Sequence, residues 1–150
     1  MNLLRNNRSR WPLFFLVVLT TSVAFSGSST KEASALGRRL FSGEEELSGR
    51  IYTHTVDMPT AVIRCSNCHA AGNGPAVARS SAPRLTRDLL LQVRARRGGP
   101  PTSYGRDSFC RVLRKGVDPA YILIDVAMPR YSFSDGQCTA LWTFLTQGVE

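Results

Sequence analysis

The hydrophobic pattern of this 150-residue chain is that of short amphipathic helices separated by stretches rich in glycine and proline. Between Ser34 and Glu46, apolar residues recur at helical spacing, at Leu36, Leu40 and Phe41. Gly37 precedes Phe41 by four residues and so shares its face. The pattern predicts a first helix here.

A second clear helix pattern lies near the C-terminal end of the chain. Ser134 and Gln137 form an S-x-x-Q capping box, which is typical of a helix start. The apolar positions that follow, at spacings of three, four and seven, are Cys138, Leu141, Trp142 and Leu145. The sequence therefore predicts a final amphipathic helix.

Three shorter helices are predicted between these two. Thr86 can cap one that reaches Val93, and Gly116 can end another that carries Phe109, Val112 and Leu113. Asp118-Pro119 predicts a third, over residues 120–124, because a cap is followed by proline at the first helical position. Residues 47–64 and 72–83 lack a steady period and predict loops. No strand alternation or internal repeat is present, so we expect one all-α domain over residues 34–150.

An export segment precedes this domain. Residues 1–10 carry three arginines and no acid, and the next fifteen residues, Trp11 to Phe25, are uncharged. A membrane-spanning helix usually needs roughly 20 apolar residues. We therefore predict a signal peptide over residues 1–26, with cleavage after Ser26 or as late as Ala35, and an uncleaved anchor as the alternative. Both place the domain outside the cytoplasm, in the periplasm.

The chain is basic, with a formal net charge of +8. Removal of residues 1–26 would take away three of its 19 basic residues, leaving 16 against 11 acidic residues, a formal charge of +5. This balance suits docking to acidic patches on other proteins. A nucleic-acid partner is not expected, because an exported protein rarely meets nucleic acid.

The residues Cys65-Ser66-Asn67-Cys68-His69 form C-x-x-C-H, the attachment sequence for c-type haem. One helical turn separates the two thiols, so each can bond to one vinyl group while His69 places its imidazole under the iron. A zinc site would need two further ligands, and Cys110, Cys138 and His54 are not spaced as a second pair. A thioredoxin-like dithiol should follow a βαβ pattern, which is absent. We therefore expect one covalent haem.

With these residues the chain resembles the class I cytochromes c. That family has a first helix with Gly and Phe four apart, then C-x-x-C-H, a proline-leucine loop, a Met-Pro segment and a last helix with an aromatic residue. The corresponding residues are Gly37 and Phe41, Cys65 to His69, Ala82-Pro83-Arg84-Leu85, Met128-Pro129-Arg130-Tyr131, and Leu141 to Leu145. The resemblance implies a cytochrome c fold, with helices packed around one haem and the first helix crossing the last, where Gly37 would allow close approach of Leu141 and Phe144.

The resemblance also implies the iron ligands. His69 would be the proximal ligand and Met128 the distal one, since a thioether from the loop before the last helix favours Fe(II) and raises the potential. Met58 and His54 are the alternative candidates for the distal ligand, and His54 would imply a bis-imidazole haem with a lower potential.

In the same family a proline offers its backbone carbonyl to the ring N–H of the proximal histidine, which fixes the tautomer of the ring. Pro83 matches this proline by its leucine-containing context. Pro75 is the rival, since it lies only six residues after His69. We therefore add Pro83 to the expected haem-binding residues.

Two features depart from the family. The link over residues 42–64 is longer than in its small members and is expected to be a solvated loop. Cys110 and Cys138 are spare thiols on two predicted helices, and in an oxidising compartment we expect them to pair as a disulfide. Two buried free thiols are the alternative.

The implied function is one-electron transfer between a redox protein donor and acceptor, such as a dehydrogenase, a cytochrome complex or an oxidase. The chain is not expected to be an enzyme, because six-coordinate iron leaves no open position for chemistry. The alternatives are a haem-containing subunit of a dehydrogenase, a small peroxidase-like enzyme, and a gas sensor with a labile distal ligand. Membrane association is expected only if the N-terminal segment stays uncleaved.

Overall fold

Two crossing helices, α1 and α5, form the centre of the fold. The computed structural model describes residues 26–75, 77 and 82–147. Helix α1 spans Ser26–Ser42 and α5 spans Asp135–Gln147. Where they cross, a Cβ on Gly37 would lie 2.1 Å from the carbonyl oxygen of Ala140 and 2.6 Å from the Cβ of Phe144. Glycine is therefore required at this crossing, and its partner beside Phe144 is Ala140 rather than the expected Leu141.

The remaining elements are short and connect these two helices. In chain order they are β1 (Gly49–Arg50), α2 (Thr60–Ile63), a 3₁₀ turn (Cys65–Asn67), α3 (Arg87–Leu91), α4 (Arg106–Lys115) and β2 (Arg130–Tyr131). The two strands pair antiparallel, with Gly49 opposite Tyr131. The described chain is thus helical with one small sheet, and the expectation of helices alone omitted this sheet because two-residue strands show no alternation.

Three helix ends lie where the sequence predicts them. The Thr86 hydroxyl accepts a hydrogen bond from the backbone N–H of Leu89. Gly116 ends α4 in the left-handed conformation, at φ 69°. Before α5, the backbone N–H of Ser134 donates to the side chain of Gln137 at 2.9 Å, and the Gln137 N–H donates back to the Ser134 hydroxyl at 3.2 Å. The predicted capping box is therefore confirmed.

Two predicted bounds and one predicted helix are wrong. Helix α1 begins at Ser26 rather than Ser34, since its first residues are mostly small and polar and carry no apolar period. Helix α3 ends at Leu91, two residues before Val93. No helix forms over residues 120–124, where the Asp118 carboxylate accepts hydrogen bonds from the N–H groups of Ala120 and Ile122, both at 2.9 Å. These bonds hold a turn in place of a helix.

The segment over residues 42–64 packs against the rest of the structure near its two ends, whereas residues 52–57 are exposed, so its description as a solvated loop is correct only for the middle of the segment. Leu47 and Ile63 are buried at 4% and 1% exposure, and Thr60 binds the Leu47 backbone through its hydroxyl. Strand β1 also lies in this segment and pairs with β2. These contacts place the segment between the C-x-x-C-H turn and the chain that follows Met128.

The core lies where α5 packs against α1 and α4. Its buried apolar residues include Leu40, Phe41, Phe109, Val112, Leu113, Leu141, Phe144 and Leu145. The predicted signal segment up to Phe25 lies outside the described residues. Within the described residues, no helix has both the length and the apolar character that crossing a membrane requires.

Candidate functional site

The C-x-x-C-H residues form a single tight turn directly after α2. The backbone N–H groups of Cys68 and His69 both donate to the carbonyl oxygen of Cys65, at 3.1 and 2.9 Å. Cys65 is half-buried and Cys68 is exposed. The two thiols and the imidazole are therefore carried by one hydrogen-bonded unit.

Hydrogen bonds of the Asn67 side chain hold this turn against the end of α2. Its side-chain amide donates to the carbonyl oxygens of Ala61 and Val62, at 2.8 and 2.9 Å. Its side-chain oxygen accepts a hydrogen bond of 2.6 Å from the Arg64 guanidinium. Asn67 occupies a variable position of the motif, so its sequence position alone predicts no role for it.

The His69 ring is held by the backbone of Pro83. The Nδ1 atom lies 2.7 Å from the Pro83 carbonyl oxygen. Because a carbonyl can only accept a hydrogen bond, Nδ1 carries the ring proton in the neutral imidazole, and the lone pair lies on Nε2. Among the described residues the ring makes no second hydrogen bond. Of the two ring nitrogens, Nε2 is therefore the one whose lone pair could bind a metal.

Backbone pairing explains why Pro83 and not Pro75 meets His69. The N–H of Leu85 donates to the Ala70 carbonyl at 2.8 Å, and the N–H of Gly72 donates to the Leu85 carbonyl at 3.0 Å. The chain therefore returns alongside the residues that follow His69. Residues 76 and 78–81 of the intervening loop lie outside the described part.

Tyr131 brings strand β2 to the other side of the turn. Its hydroxyl donates to the Ile63 carbonyl at 2.5 Å and lies 3.9 Å from the Cys65 sulfur. The side chain is 5% exposed. Since Tyr131 follows Met128 by three residues, the predicted distal-ligand segment is anchored beside the C-x-x-C-H turn.

Burial controls the ionisation of the groups in this region. It raises the pKa of the Cys65 thiol to about 11, against a smaller opposing effect of the hydrogen bond with Tyr131. Burial also raises the pKa of Tyr131. Cys65 is therefore a protonated thiol at neutral pH, whereas the reactive cysteine of a redox dithiol has a lowered pKa.

The three predicted distal-ligand candidates lie in different surroundings. Met128 is half-buried against the core, and its carbonyl accepts a hydrogen bond from the Arg130 guanidinium. Met58 is also half-buried, and its N–H donates to the Gly49 carbonyl at 2.8 Å, so it lies beside β1. His54 is exposed. Both methionines thus lie next to the strand pair.

Cys110 on α4 and Cys138 on α5 are buried and face each other. The two thiols are neighbours, and burial raises the pKa of Cys138. Both are free thiols, so the disulfide expected from the sequence is not formed in this structure. The pair is separate from Cys65 and Cys68 and supplies no further ligand at the C-x-x-C-H turn.

The donor set of the turn fits a covalently held haem. It offers two thiols one turn apart and an imidazole with Nε2 free and Nδ1 engaged. A neighbouring methionine-bearing segment is fixed to the same turn through Tyr131. These are the groups that attach a porphyrin and bind its iron on one face, with a thioether available nearby.

The chain matches no protein-family model, no curated protein and no solved structure. Its likeness to the class I cytochromes c therefore rests on its own motifs and on the geometry around them. The most specific of these are the C-x-x-C-H turn and the contact between His69 and Pro83.

Proposed function

We propose that the chain is a periplasmic one-electron carrier. It would hold one c-type haem through Cys65 and Cys68, with His69 and Met128 as the axial ligands of the iron. The observation that carries the proposal is the hydrogen bond from His69 Nδ1 to the Pro83 carbonyl, within a C-x-x-C-H turn. A ring fixed in this way has a defined tautomer and direction, as metal-binding histidines do.

When bound, the haem supplies the Fe(III)/Fe(II) couple, and the chain's residues hold it and set its properties. Cys65 and Cys68 would hold the porphyrin as thioethers. Pro83 keeps the proton on Nδ1 and so makes Nε2 of His69 a better donor. The thioether of Met128 would favour Fe(II) and raise the potential.

The other uses of a C-x-x-C pair have less support. A redox dithiol needs a thiolate, and burial raises the pKa of Cys65 to about 11. A structural zinc site needs further thiolates or imidazoles. Among the described residues, the two remaining cysteines are buried next to each other on α4 and α5, and no group of three or more metal-binding side chains comes together.

A pair of alanine variants tests the proposal. Met128→Ala should keep its haem, lose the Fe–S(Met) absorption band, show a lower midpoint potential and bind carbon monoxide in the ferrous form, because the distal thioether is gone. Met58→Ala is the matched control and should behave as the wild type.

Two results would contradict this function. Rapid carbon monoxide binding by the wild type would indicate an open distal site and hence a haem enzyme or gas sensor. An unchanged spectrum in Met128→Ala with a changed one in Met58→Ala would make Met58 the ligand.

A further inference from the structure

We propose that Tyr131 is a positioning residue, whose hydroxyl ties the Met128 segment to the C-x-x-C-H turn and so controls how readily Met128 leaves the iron. The inference rests on the proposed function. It assigns a role to a buried tyrosine that lies outside the ligand set.

The hydroxyl links two segments that are distant in sequence. It donates to the Ile63 carbonyl at 2.5 Å, at the end of α2 and two residues before Cys65. It also accepts a weak hydrogen bond of 3.9 Å from the Cys65 thiol. The phenol is therefore in direct contact with the region that carries the haem-binding thiol.

The ring is held in place by contacts that do not involve the hydroxyl. It stacks on Phe133, with ring centroids 4.7 Å apart and an interplanar angle of 10°. Its backbone pairs with Gly49, where an added Cβ would lie 2.7 Å from the Arg130 carbonyl oxygen. Because these contacts survive removal of the hydroxyl, Tyr131→Phe isolates the link to Ile63.

The segment between Met128 and Tyr131 is short. Two residues, Pro129 and Arg130, separate Met128 from Tyr131. The Arg130 guanidinium donates to the Met128 carbonyl, and it packs where a Cβ on Gly116 would otherwise lie. With Arg130 on one side and Tyr131 on the other, the Met128 backbone has little freedom to move away from the turn.

Loss of the hydroxyl leaves the Ile63 carbonyl without its buried donor, which disfavours the closed arrangement by about the free energy of one hydrogen bond. The methionine-detached state should then be populated about tenfold more often. Carbon monoxide binding to the ferrous protein should accelerate by the same factor, because carbon monoxide binds only to molecules in which Met128 has left the iron.

The test compares haem-loaded wild type, Tyr131→Phe and a matched control, Tyr104→Phe. Tyr104 is half-buried against the core, and its ring packs under the guanidinium of Arg96 instead of contacting the C-x-x-C-H region. We expect about tenfold faster carbon monoxide binding in Tyr131→Phe, with loss of the ferric Fe–S(Met) band at a lower pH, and no change in either readout for Tyr104→Phe.

A rate in Tyr131→Phe within about twofold of the wild type, or an equal change in Tyr104→Phe, would overturn the inference. If Tyr131→Phe accumulates without haem, Gly49→Ala serves instead, since its added Cβ displaces β2 and should produce the same acceleration. A wild type that carries no haem overturns the proposed function itself, whereas a haem-loaded wild type with an unaffected Tyr131→Phe overturns the role of Tyr131 alone.

Discussion

Cys110 and Cys138 are expected to form a disulfide when the exported protein meets an oxidising environment. Their buried thiols are free and lie next to each other, one on α4 and one on α5. The product would join the helix before the Met128 segment to the helix after it.

The size of the stabilisation follows from the loop that the bond closes. The two cysteines enclose 27 residues, and the chain-entropy relation gives about 3.5 kcal/mol for a loop of that length, less any strain in the bond. With urea m-values of about 1–3 kcal/mol/M for small domains, reduction of the bond should lower the unfolding midpoint by roughly 1–3 M.

The assay is urea unfolding of haem-loaded protein that has been oxidised with glutathione disulfide, with and without a reductant. The double variant Cys110→Ala, Cys138→Ala is the control, and its midpoint should not respond to the reductant. Two reactive thiols in the unfolded, unreduced wild type, or identical midpoints with and without the reductant, would refute the reasoning.

Two further substitutions test the packing that positions the site. Gly37→Ala should destabilise the fold by about 1–3 kcal/mol, because its Cβ would lie 2.1 Å from the Ala140 carbonyl oxygen. The control Gly136→Ala, on α5, should be neutral or stabilising. Urea unfolding midpoints measure both effects, and equal effects of the two variants would refute the close crossing of α1 and α5. Asp118→Ala should lower the free energy of unfolding by about 2–4 kcal/mol, because it removes a fully buried carboxylate from two backbone N–H groups. Arg97→Ala removes the half-exposed partner of this carboxylate and should lower the free energy of unfolding by less than about 1 kcal/mol. Equal thermal midpoints for Asp118→Ala and Arg97→Ala would contradict this.

Local side-chain signals account for the helix ends that could be predicted. Thr86, Gly116 and the Ser134–Gln137 pair each act within four residues of the helix end they mark. Strands β1 and β2 pair across about eighty residues and are too short to alternate, so no local signal revealed them. Asp118 carries a true local signal, but its carboxylate accepts backbone N–H groups equally well in a turn as at a helix start.

In the candidate site, too, some features are predicted by the sequence and others appear only in the folded chain. The C-x-x-C-H spacing and the Pro83 context can be read directly from the sequence, and the structure brings His69 and Pro83 together. Asn67 and Tyr131 were not predicted, because both act by hydrogen bonds to backbone carbonyls, which any residue can offer. Only the folded chain shows which carbonyls they reach.

Mass analysis of the full chain, made in cells with an active c-type haem attachment system, shows whether Cys65 and Cys68 hold one haem. We expect one haem per chain, on the peptide that contains Cys65 and Cys68. We also expect none in the Cys65→Ala, Cys68→Ala double variant, and a full complement in the Cys110→Ala, Cys138→Ala variant. Two haems per chain, or an exported wild type without haem in cells that load another c-type cytochrome, would contradict this expectation.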